Sequence, residues 1–121
     1  MPLLQIFTNI SRQEIPKNFG PTLASVLIGS LRNKPIESIS IQITSDQYIS
    51  LGSNDDEPSA IVYLRSIGSM DLDDNRKTVR SVTDFIHSKI GIKTDNIRMV
   101  LQNHSIDTIG KGGILACDSL K

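Results

Sequence analysis

Hydrophobic and polar residues alternate along several short segments of this chain, and a helical spacing replaces the alternation between them. The clearest alternation places Ile39, Ile41 and Ile43 on one face with polar residues opposite, which is typical of a β-strand. The opening residues are apolar on both faces, which predicts a largely buried strand. Strands are predicted at four segments, namely 3–10, 38–46, 60–67 and 97–101. A weaker pattern predicts a further short strand at 47–52.

Two longer segments have apolar residues at the spacing of one helix face. The first begins at Asn18, a suitable N-cap residue, and is predicted to end at Asn33, Lys34 and Pro35. The second begins in the acidic segment 70–75 and is ended by Gly91. The apolar stripes of the two helices comprise Phe19, Leu23, Val26, Leu27 and Leu31 in the first and Val79, Val82, Phe85, Ile86 and Ile90 in the second.

The order strand–helix–strand therefore occurs twice, with no linker between the copies. Each β-α-β connection predicts a parallel pair of strands joined by a crossover. Two such units side by side predict an α+β fold in which two β-α-β repeats form a four-stranded sheet with two helices on one face. Residues 1–121 are thus expected to form a single domain. Apolar residues on both faces of several strands predict that further copies of the chain cover the other face.

Composition excludes several classes of protein. Thirteen basic residues balance thirteen acidic ones, so no positive excess is available for a nucleic-acid backbone. The single cysteine, Cys117, excludes an internal disulfide framework, and no apolar run is long enough to span a membrane. The first residues lack the basic segment of a signal peptide, so a protein made in a reducing compartment is expected.

Motifs for metals and cofactors are incomplete. Asp71, Asp73 and Asn75 imitate the start of a calcium loop, but its glycine and its final glutamate are missing. His87 has no second ligand four residues later, so the helical zinc motif is absent. The segment Gly110–Gly113 lacks the spacing of a dinucleotide or phosphate loop and is predicted to be a turn. Neither a metal nor a cofactor is expected.

Pro2 offers a different chemistry. A small second residue normally permits removal of the initiator methionine, which would leave Pro2 as a free secondary amine at the start of a strand. An α-amine has a pKa of about 7.7–8.0, and burial or a nearby cation lowers that pKa further. Proton abstraction next to a carbonyl needs a base of this kind. A chain that begins Met-Pro by chance has the same pattern, so the residues alone leave both interpretations open.

Short segments along the whole chain then resemble one family. They are MPLLQIFTN at the start, Asn33-Lys34-Pro35, Asp46-Gln47, Glu57-Pro58 and Ser66-Ile67-Gly68. In this order and spacing they resemble the macrophage migration inhibitory factor and D-dopachrome tautomerase family. The resemblance implies a homotrimer with a pocket at each subunit interface. It also implies keto–enol tautomerisation of small aromatic keto or enol acids, of the phenylpyruvate or dopachrome type.

The resemblance also implies roles for individual residues. Pro2 matches the catalytic proline of the family, which acts as a neutral amine. Lys34 matches the lysine that holds the substrate carboxylate and helps to keep that amine neutral. Ile67 matches the residue whose backbone N–H contacts the substrate. Roles without a substrate are also open. The positive charge of Lys34 would be favourable at the C-terminus of a helix, and Ile67 would fit as an ordinary residue of the hydrophobic core.

Two further positions depart from the family pattern. Arg98 and Val100 stand where the cytokine branch has a tyrosine and an asparagine contributed by the neighbouring subunit. An arginine at this position is able to bind a carboxylate with two hydrogen bonds, or to displace an aromatic ring. Arg98 and Val100 are therefore expected substrate-binding residues with an altered preference.

Two alternatives remain open at this stage. The first is a cytokine-like ligand with a weak or inactive pocket, which binds the invariant-chain receptor and leaves the cytoplasm by leaderless secretion. The resemblance implies that one molecule is able to combine this role with catalysis. The second alternative is a ferredoxin-like regulatory domain that binds a small metabolite. Such a domain has no reason to begin Met-Pro or to place Lys34 after its first helix.

Overall fold

The computed structural model of the protein describes residues 1–32 and 34–119, and its main elements follow the order β-α-β-β-α-β. A short hairpin and a short helix follow. The elements are β1 (Leu3–Thr8), α1 (Phe19–Ile28), β2 (Ser40–Thr44), β3 (Ala60–Ser66), α2 (Leu72–Ile90), β4 (Ile97–Asn103), β5 (Gly110–Lys111), β6 (Ile114–Leu115) and α3 (Ala116–Ser119). The four predicted strands and the two predicted long helices are all present.

The four long strands form one sheet in the order β2-β1-β3-β4. β1 is parallel to β2 and β3 is parallel to β4, as the two β-α-β units predict, while β1 and β3 pair antiparallel. This is the predicted four-stranded α+β architecture. A split β-α-β unit of the ferredoxin-like type has another strand between its two parallel strands, whereas here they are direct neighbours. The topology therefore does not fit the ferredoxin-like alternative.

One face of the sheet packs against both helices and forms the hydrophobic core. Fully buried side chains come from the inward-facing positions of β1 and β3 and from one stripe of each helix. They include Leu4, Ile6, Val62, Leu64, Leu23, Leu27, Val82 and Ile86. Within the described parts of the chain, no helix combines the length and the apolar content needed to cross a membrane.

The start of α2 is bonded to the loop that follows α1. The side chain of Asp71 accepts a hydrogen bond from the backbone N–H of Asp74 at 2.9 Å, and the side chain of Asp74 accepts one from the backbone N–H of Asp71 at 3.4 Å. This pair of bonds is a capping box. The buried carboxylate of Asp74 also accepts from Arg32 at 2.6 Å. This hydrogen bond to the guanidinium lowers the pKa of Asp74, so the carboxylate stays charged although it is buried. The loop that contains Lys34 is thereby anchored.

The first helix is shorter than predicted. It ends at Ile28, where the N–H of Gly29 donates to the carbonyl of Val26 and the hydroxyl of Ser30 donates to the carbonyl of Leu27. These local bonds replace the bonds of a continued helix. The prediction of an end at residues 33–35 is therefore wrong for Lys34 and Pro35, which lie in the following loop, and Asn33 lies outside the described residues.

Asn18 occupies the predicted N-cap position without acting as a side-chain cap. Its backbone is left-handed, with φ of 64°, and its side chain makes no capping hydrogen bond. Asparagine tolerates this conformation better than most residues do, so it fits the position through its backbone rather than its amide.

The short strand predicted at 47–52 is absent. The described structure has only an isolated bridge between Leu51 and Asn54 there. The N–H of Asp46 donates to the carbonyl of Ile10 and that of Gln47 to the carbonyl of Thr8, so the segment is bonded to the end of β1 as a loop. Gly52 then turns the chain with a positive φ of 62°.

Candidate active site

The topology of the sheet brings distant parts of the chain together at one end. Because β1 is parallel to β2 and antiparallel to β3, the starts of β1 and β2 lie beside the end of β3. Leu3 pairs with Ser40 on one side and with Arg65 on the other. Continued by two residues, the register of β1 and β3 places Pro2 opposite Ser66 and Met1 opposite Ile67. The loop that contains Lys34 enters β2 at the same end.

Pro2 is buried at this end of the sheet. Its carbonyl accepts a hydrogen bond from the N–H of Ser40 at 2.9 Å, which extends the pairing of β1 with β2 by one residue and holds the backbone of Pro2 in place. With Met1 attached, the nitrogen of Pro2 is an amide nitrogen and is not basic. Cleavage after Met1 would convert this nitrogen into a secondary amine at the same position.

Lys34 is half-buried, and its Nζ donates a hydrogen bond to the carbonyl of Ile67. This bond joins the loop before β2 to the residue after β3. The side chain of a lysine in a loop has many rotamers, and the carbonyl of Ile67 selects one of them. The ammonium group of Lys34 is consequently held near the N-terminus of the chain.

A cavity of about 340 Å³ opens beside Met1, Lys34 and Ile67, and the buried Pro2 is not among the residues that line it. This volume is within the range of small-molecule sites. The residues that line it are Met1, Lys34, Ile67, Lys111, Ile114, Ala116 and Ser119. None of these seven residues is aromatic, so the wall formed by this chain is aliphatic with the N-terminal amine, two lysine ammonium groups and one hydroxyl.

Lys111 is a residue of the cavity that sequence reasoning missed. The Gly-rich segment was predicted correctly as a turn, and it connects β5 to β6 through Gly112 and Gly113, which have φ of 61° and 85°. A two-residue hairpin turn with two positive φ values requires such residues. The turn prediction contained no signal for a site, because only the folding of the tail against the N-terminus brings Lys111 there.

The environment of the N-terminal amine favours its neutral form. Partial burial is the largest cause that lowers the pKa of the Met1 amine, and the positive charges of Lys34 and Lys111 lower it further. A lower pKa means that a larger fraction of the amine is unprotonated at neutral pH. Both lysines therefore lie within electrostatic reach of the amine.

Arg98 and Val100 lie away from this cavity. They occupy β4, where Ile97 packs into the core and Arg98 and Val100 face the other way. Arg98 pairs with Ile61 of β3, and Ile61 pairs with Phe7 of β1. Phe7 is five residues from Pro2 along β1, which corresponds to about 16 Å at the usual rise of a strand. Arg98 also donates to the carbonyl of Asp95. A single chain does not bring these two residues to Pro2.

The face of the sheet opposite the helices, called the open face below, has both apolar and polar side chains. Leu3 is 39% exposed and Val100 is 53% exposed. On the same face, the rings of Phe7 and Tyr63 meet edge to face with centroids 5.9 Å apart, and the guanidinium of Arg65 lies over the ring of Tyr63. Large apolar side chains in such a contiguous position are typical of an interaction surface.

The side chains able to bind a metal ion are not grouped in the described part of the chain. Among the residues that the structure describes, no group of three or more His, Cys, Asp and Glu side chains is placed to hold a metal ion. The cavity instead combines an amine of lowered pKa, a fixed ammonium group and aliphatic walls. This arrangement suits the binding of an organic anion and the transfer of a proton.

Comparison with known proteins identifies the family. The family profile described as Macrophage migration inhibitory factor (MIF) matches residues 1–116, and the chain belongs to this family, within the tautomerase superfamily. The MIF-like protein mif-2 of Caenorhabditis elegans is 25% identical over 121 residues, which cover 100% of this chain and 99% of that protein. The macrophage migration inhibitory factor homolog of Trichinella spiralis is 29% identical over 113 residues, covering 93% and 97%.

Solved structures agree with this assignment. The macrophage migration inhibitory factor of Trichinella spiralis has a TM-score of 0.86 at 26% identity, covering 93% of this chain and 98% of that one. The homologue from Prochlorococcus marinus has a TM-score of 0.87 at 20% identity, covering 93% and 97%, and it shows the shared fold. The family resemblance inferred from the sequence is confirmed.

The electrostatic coupling between Lys34 and the N-terminal amine leads to a prediction. The substitution Lys34→Gln removes a positive charge and should raise the pKa of the amine towards the ordinary value of about 8. NMR titration of the isotope-labelled N-terminal residue measures this pKa. Lys77→Gln is the matched control, since Lys77 is exposed on α2 and does not line the cavity. An unchanged or lowered pKa in Lys34→Gln would contradict the coupling.

Proposed function

We propose that this protein is a keto–enol tautomerase in which Pro2, freed by removal of Met1, is the catalytic base. The observation that supports the proposal is the meeting of the N-terminus, Lys34 and Ile67 around one cavity at the end of the sheet. Membership of the family supports it as well. The resemblance of the short segments matches Pro2, Lys34 and Ile67 to residues of the family's site.

The reaction needs a base and an acceptor for the developing negative charge. The neutral amine of Pro2 takes a proton from the carbon next to the carbonyl of a 2-keto acid. The electron pair of the broken C–H bond forms the C=C bond of the enol, and the protonated amine then gives its proton to the carbonyl oxygen, which restores the neutral base. In the reverse direction the protonated amine returns the proton to carbon. An amine with a pKa near the working pH is effective in both directions. The lowered pKa of the Met1 amine supports this role, because Lys34 and Lys111 would also lie near the amine of Pro2 after cleavage.

Lys34 binds the carboxylate of the substrate in this proposal. A half-buried ammonium group makes stronger hydrogen bonds to a carboxylate than a fully solvated one does. The carbonyl of Ile67 positions Lys34, and the backbone N–H of Ile67 is proposed to contact the substrate as it does in the family. The substrate class proposed from the resemblance is a small aromatic keto or enol acid.

A homotrimer completes this site. The open face of the sheet and the distance of Arg98 and Val100 from the cavity of their own chain support the assembly. Neighbouring subunits would cover the face that contains Leu3 and Tyr63. Arg98 and Val100 of one subunit would then reach the cavity of the next and add a cation to it.

The base is tested by changing Pro2. Phenylpyruvate tautomerisation should fall by at least about a hundredfold in Pro2→Gly or in protein that retains Met1, because the secondary amine is lost. Lys34→Ala should chiefly raise KM, since it removes the carboxylate contact. Enzyme kinetics combined with intact-mass spectrometry checks the state of the N-terminus. Undiminished turnover by protein with acylated Pro2 would refute the proposal.

The assembly is tested by placing a charge on the open face. Val100→Asp should shift the protein from about three times its subunit mass of 13.3 kDa to a smaller species, because a carboxylate would be desolvated at the interface. Light scattering after size-exclusion chromatography measures the mass. Lys77→Asp on the exposed side of α2 is the control and should leave the mass unchanged. A monomeric wild-type protein would contradict the trimer.

A cytokine-like role is the second proposed function. Membership of the family named for macrophage migration inhibitory factor favours it. In this proposal the protein is made in the cytoplasm, is released without a leader peptide and binds the invariant-chain receptor through its surface. Binding of the purified protein to the extracellular part of that receptor is the deciding measurement. Pro2→Gly should retain this affinity if recognition does not use the catalytic amine, and no binding by either protein would refute the role.

A further inference from the structure

Lys111 is a second lysine ammonium group at the cavity, and the proposed reaction with a monocarboxylate assigns no group of the substrate to it. Within residues 1–32 and 34–119, the side chain of Lys111 has no hydrogen bond or ion pair. Lys34, by contrast, already donates to the carbonyl of Ile67. A lysine that lines a cavity without a partner is available to an anionic ligand.

Lys111 also adjoins the N-terminus from a second side. It lines a smaller cavity of about 160 Å³ together with Met1, Leu3 and Glu37, while Lys34 lines only the larger one. Met1 and Lys111 therefore separate two adjoining spaces. Glu37 is the one carboxylate among the residues of the smaller cavity, and it makes no ion pair with Lys111 in the described structure.

The backbone holds Lys111 in place. The hairpin of β5 and β6 pairs Lys111 with Ile114, and the N–H of Ala116 donates to the carbonyl of Ile109 at 2.8 Å. A Cβ added at Gly110 would meet the carbonyl oxygen of Ile114 at 3.3 Å, so the two strands approach closely there. The Cα of Lys111 is thus fixed before any ligand arrives, which reduces the entropy cost of binding.

We propose that Lys111 determines substrate specificity and that the cavity prefers an aliphatic 2-keto dicarboxylate over a monocarboxylate. This inference rests on the proposed tautomerase site and names the substrates that it prefers among the keto acids that the site would accept. One carboxylate would bind Lys34 beside the carbonyl that reacts, and the distal carboxylate would bind Lys111. The walls formed by Ile67, Ile114 and Ala116 would contact the methylene groups between them.

The charges and the shape of the cavity favour this ligand over an aromatic acid. A carboxylate attracts an ammonium group more strongly than the face of an aromatic ring does. An aromatic monocarboxylate would bring its ring towards Lys111 and remove water from an uncompensated charge, which is unfavourable. The preference of the cavity depends on the difference between its affinities for these two kinds of ligand, and not on how tightly it binds either one.

A pair of ligands that differ only in the distal group tests the proposal. 2-Oxoglutarate has a carboxylate where 2-oxopentanoate has a methyl group. Calorimetry gives the affinity of each, and NMR gives the rate at which each exchanges its C3 protons with deuterated water. Wild-type protein, with its N-terminus defined by intact mass, should bind 2-oxoglutarate about tenfold more tightly, the size expected for one charge-assisted contact near the surface. Added salt should reduce this preference.

The variants separate a charge at Lys111 from a structural effect. Lys111→Gln should abolish the preference by weakening the binding of 2-oxoglutarate more than that of 2-oxopentanoate, and Lys111→Arg should retain most of the preference. Lys77→Gln, which removes an exposed lysine of α2, should behave as wild type. A purely structural role for Lys111 would change the binding of both ligands alike.

Binding and proton exchange distinguish the two proposals. A preference lost in Lys111→Gln without catalysed C3 exchange in the wild type would support the specificity of Lys111 and refute the tautomerase. Catalysed exchange with no preference for 2-oxoglutarate would support the tautomerase and refute the role of Lys111. A preference that survives in Lys111→Gln, or no binding of 2-oxoglutarate by the wild type, would also overturn the inference.

Discussion

The antiparallel pairing of β1 with β3 is the constraint on which the rest of the structure depends. It joins the two β-α-β units into one sheet, so that neither unit has to bury its apolar strands alone. Because β1 and β3 are antiparallel, the first residues of the chain lie beside the residue that follows β3. The parallel pairing of β1 with β2 brings the start of β2 to the same end of the sheet. The core and the cavity thus arise from one arrangement of strands. A shift of β1 by one residue would turn its buried side chains to the open face and would displace Pro2 as well.

The chemistry of the cavity follows from where positive charge is placed around a partly buried amine. An ammonium group loses hydration on burial, and two lysines add electrostatic repulsion, so the protonated amine is disfavoured. The two lysines differ in their support. Lys34 is tied to a backbone carbonyl, whereas Lys111 is positioned by a glycine-rich hairpin and keeps its donors available. This difference is the physical basis for assigning them different anionic groups.

The open face of the sheet links the site to assembly. Apolar and aromatic side chains there alternate with the core positions of the same strands, so they cannot be buried by the helices of their own chain. Arg98 and Val100 belong to this face and stand far from Pro2 along the strands. Of the residues proposed for the site, Lys34 and Ile67 therefore meet within one chain, whereas Arg98 and Val100 do not line the cavity of their own chain.

The alternation and the helical spacing of apolar residues determined the four strands, the two long helices and their α+β class, because these patterns report which side of each element is buried. The spacing of apolar residues did not predict where α1 ends, because it continues to Leu31. Local hydrogen bonds at Gly29 and Ser30 end the helix before that residue. Family resemblance indicated Pro2, Lys34 and Ile67, and only the tertiary structure showed that Lys34 and Ile67 meet at the end of the sheet where Pro2 lies. Tertiary structure alone decided that Lys111 joins them and that Arg98 does not. Both outcomes depend on contacts between residues far apart in the chain, which no local pattern encodes.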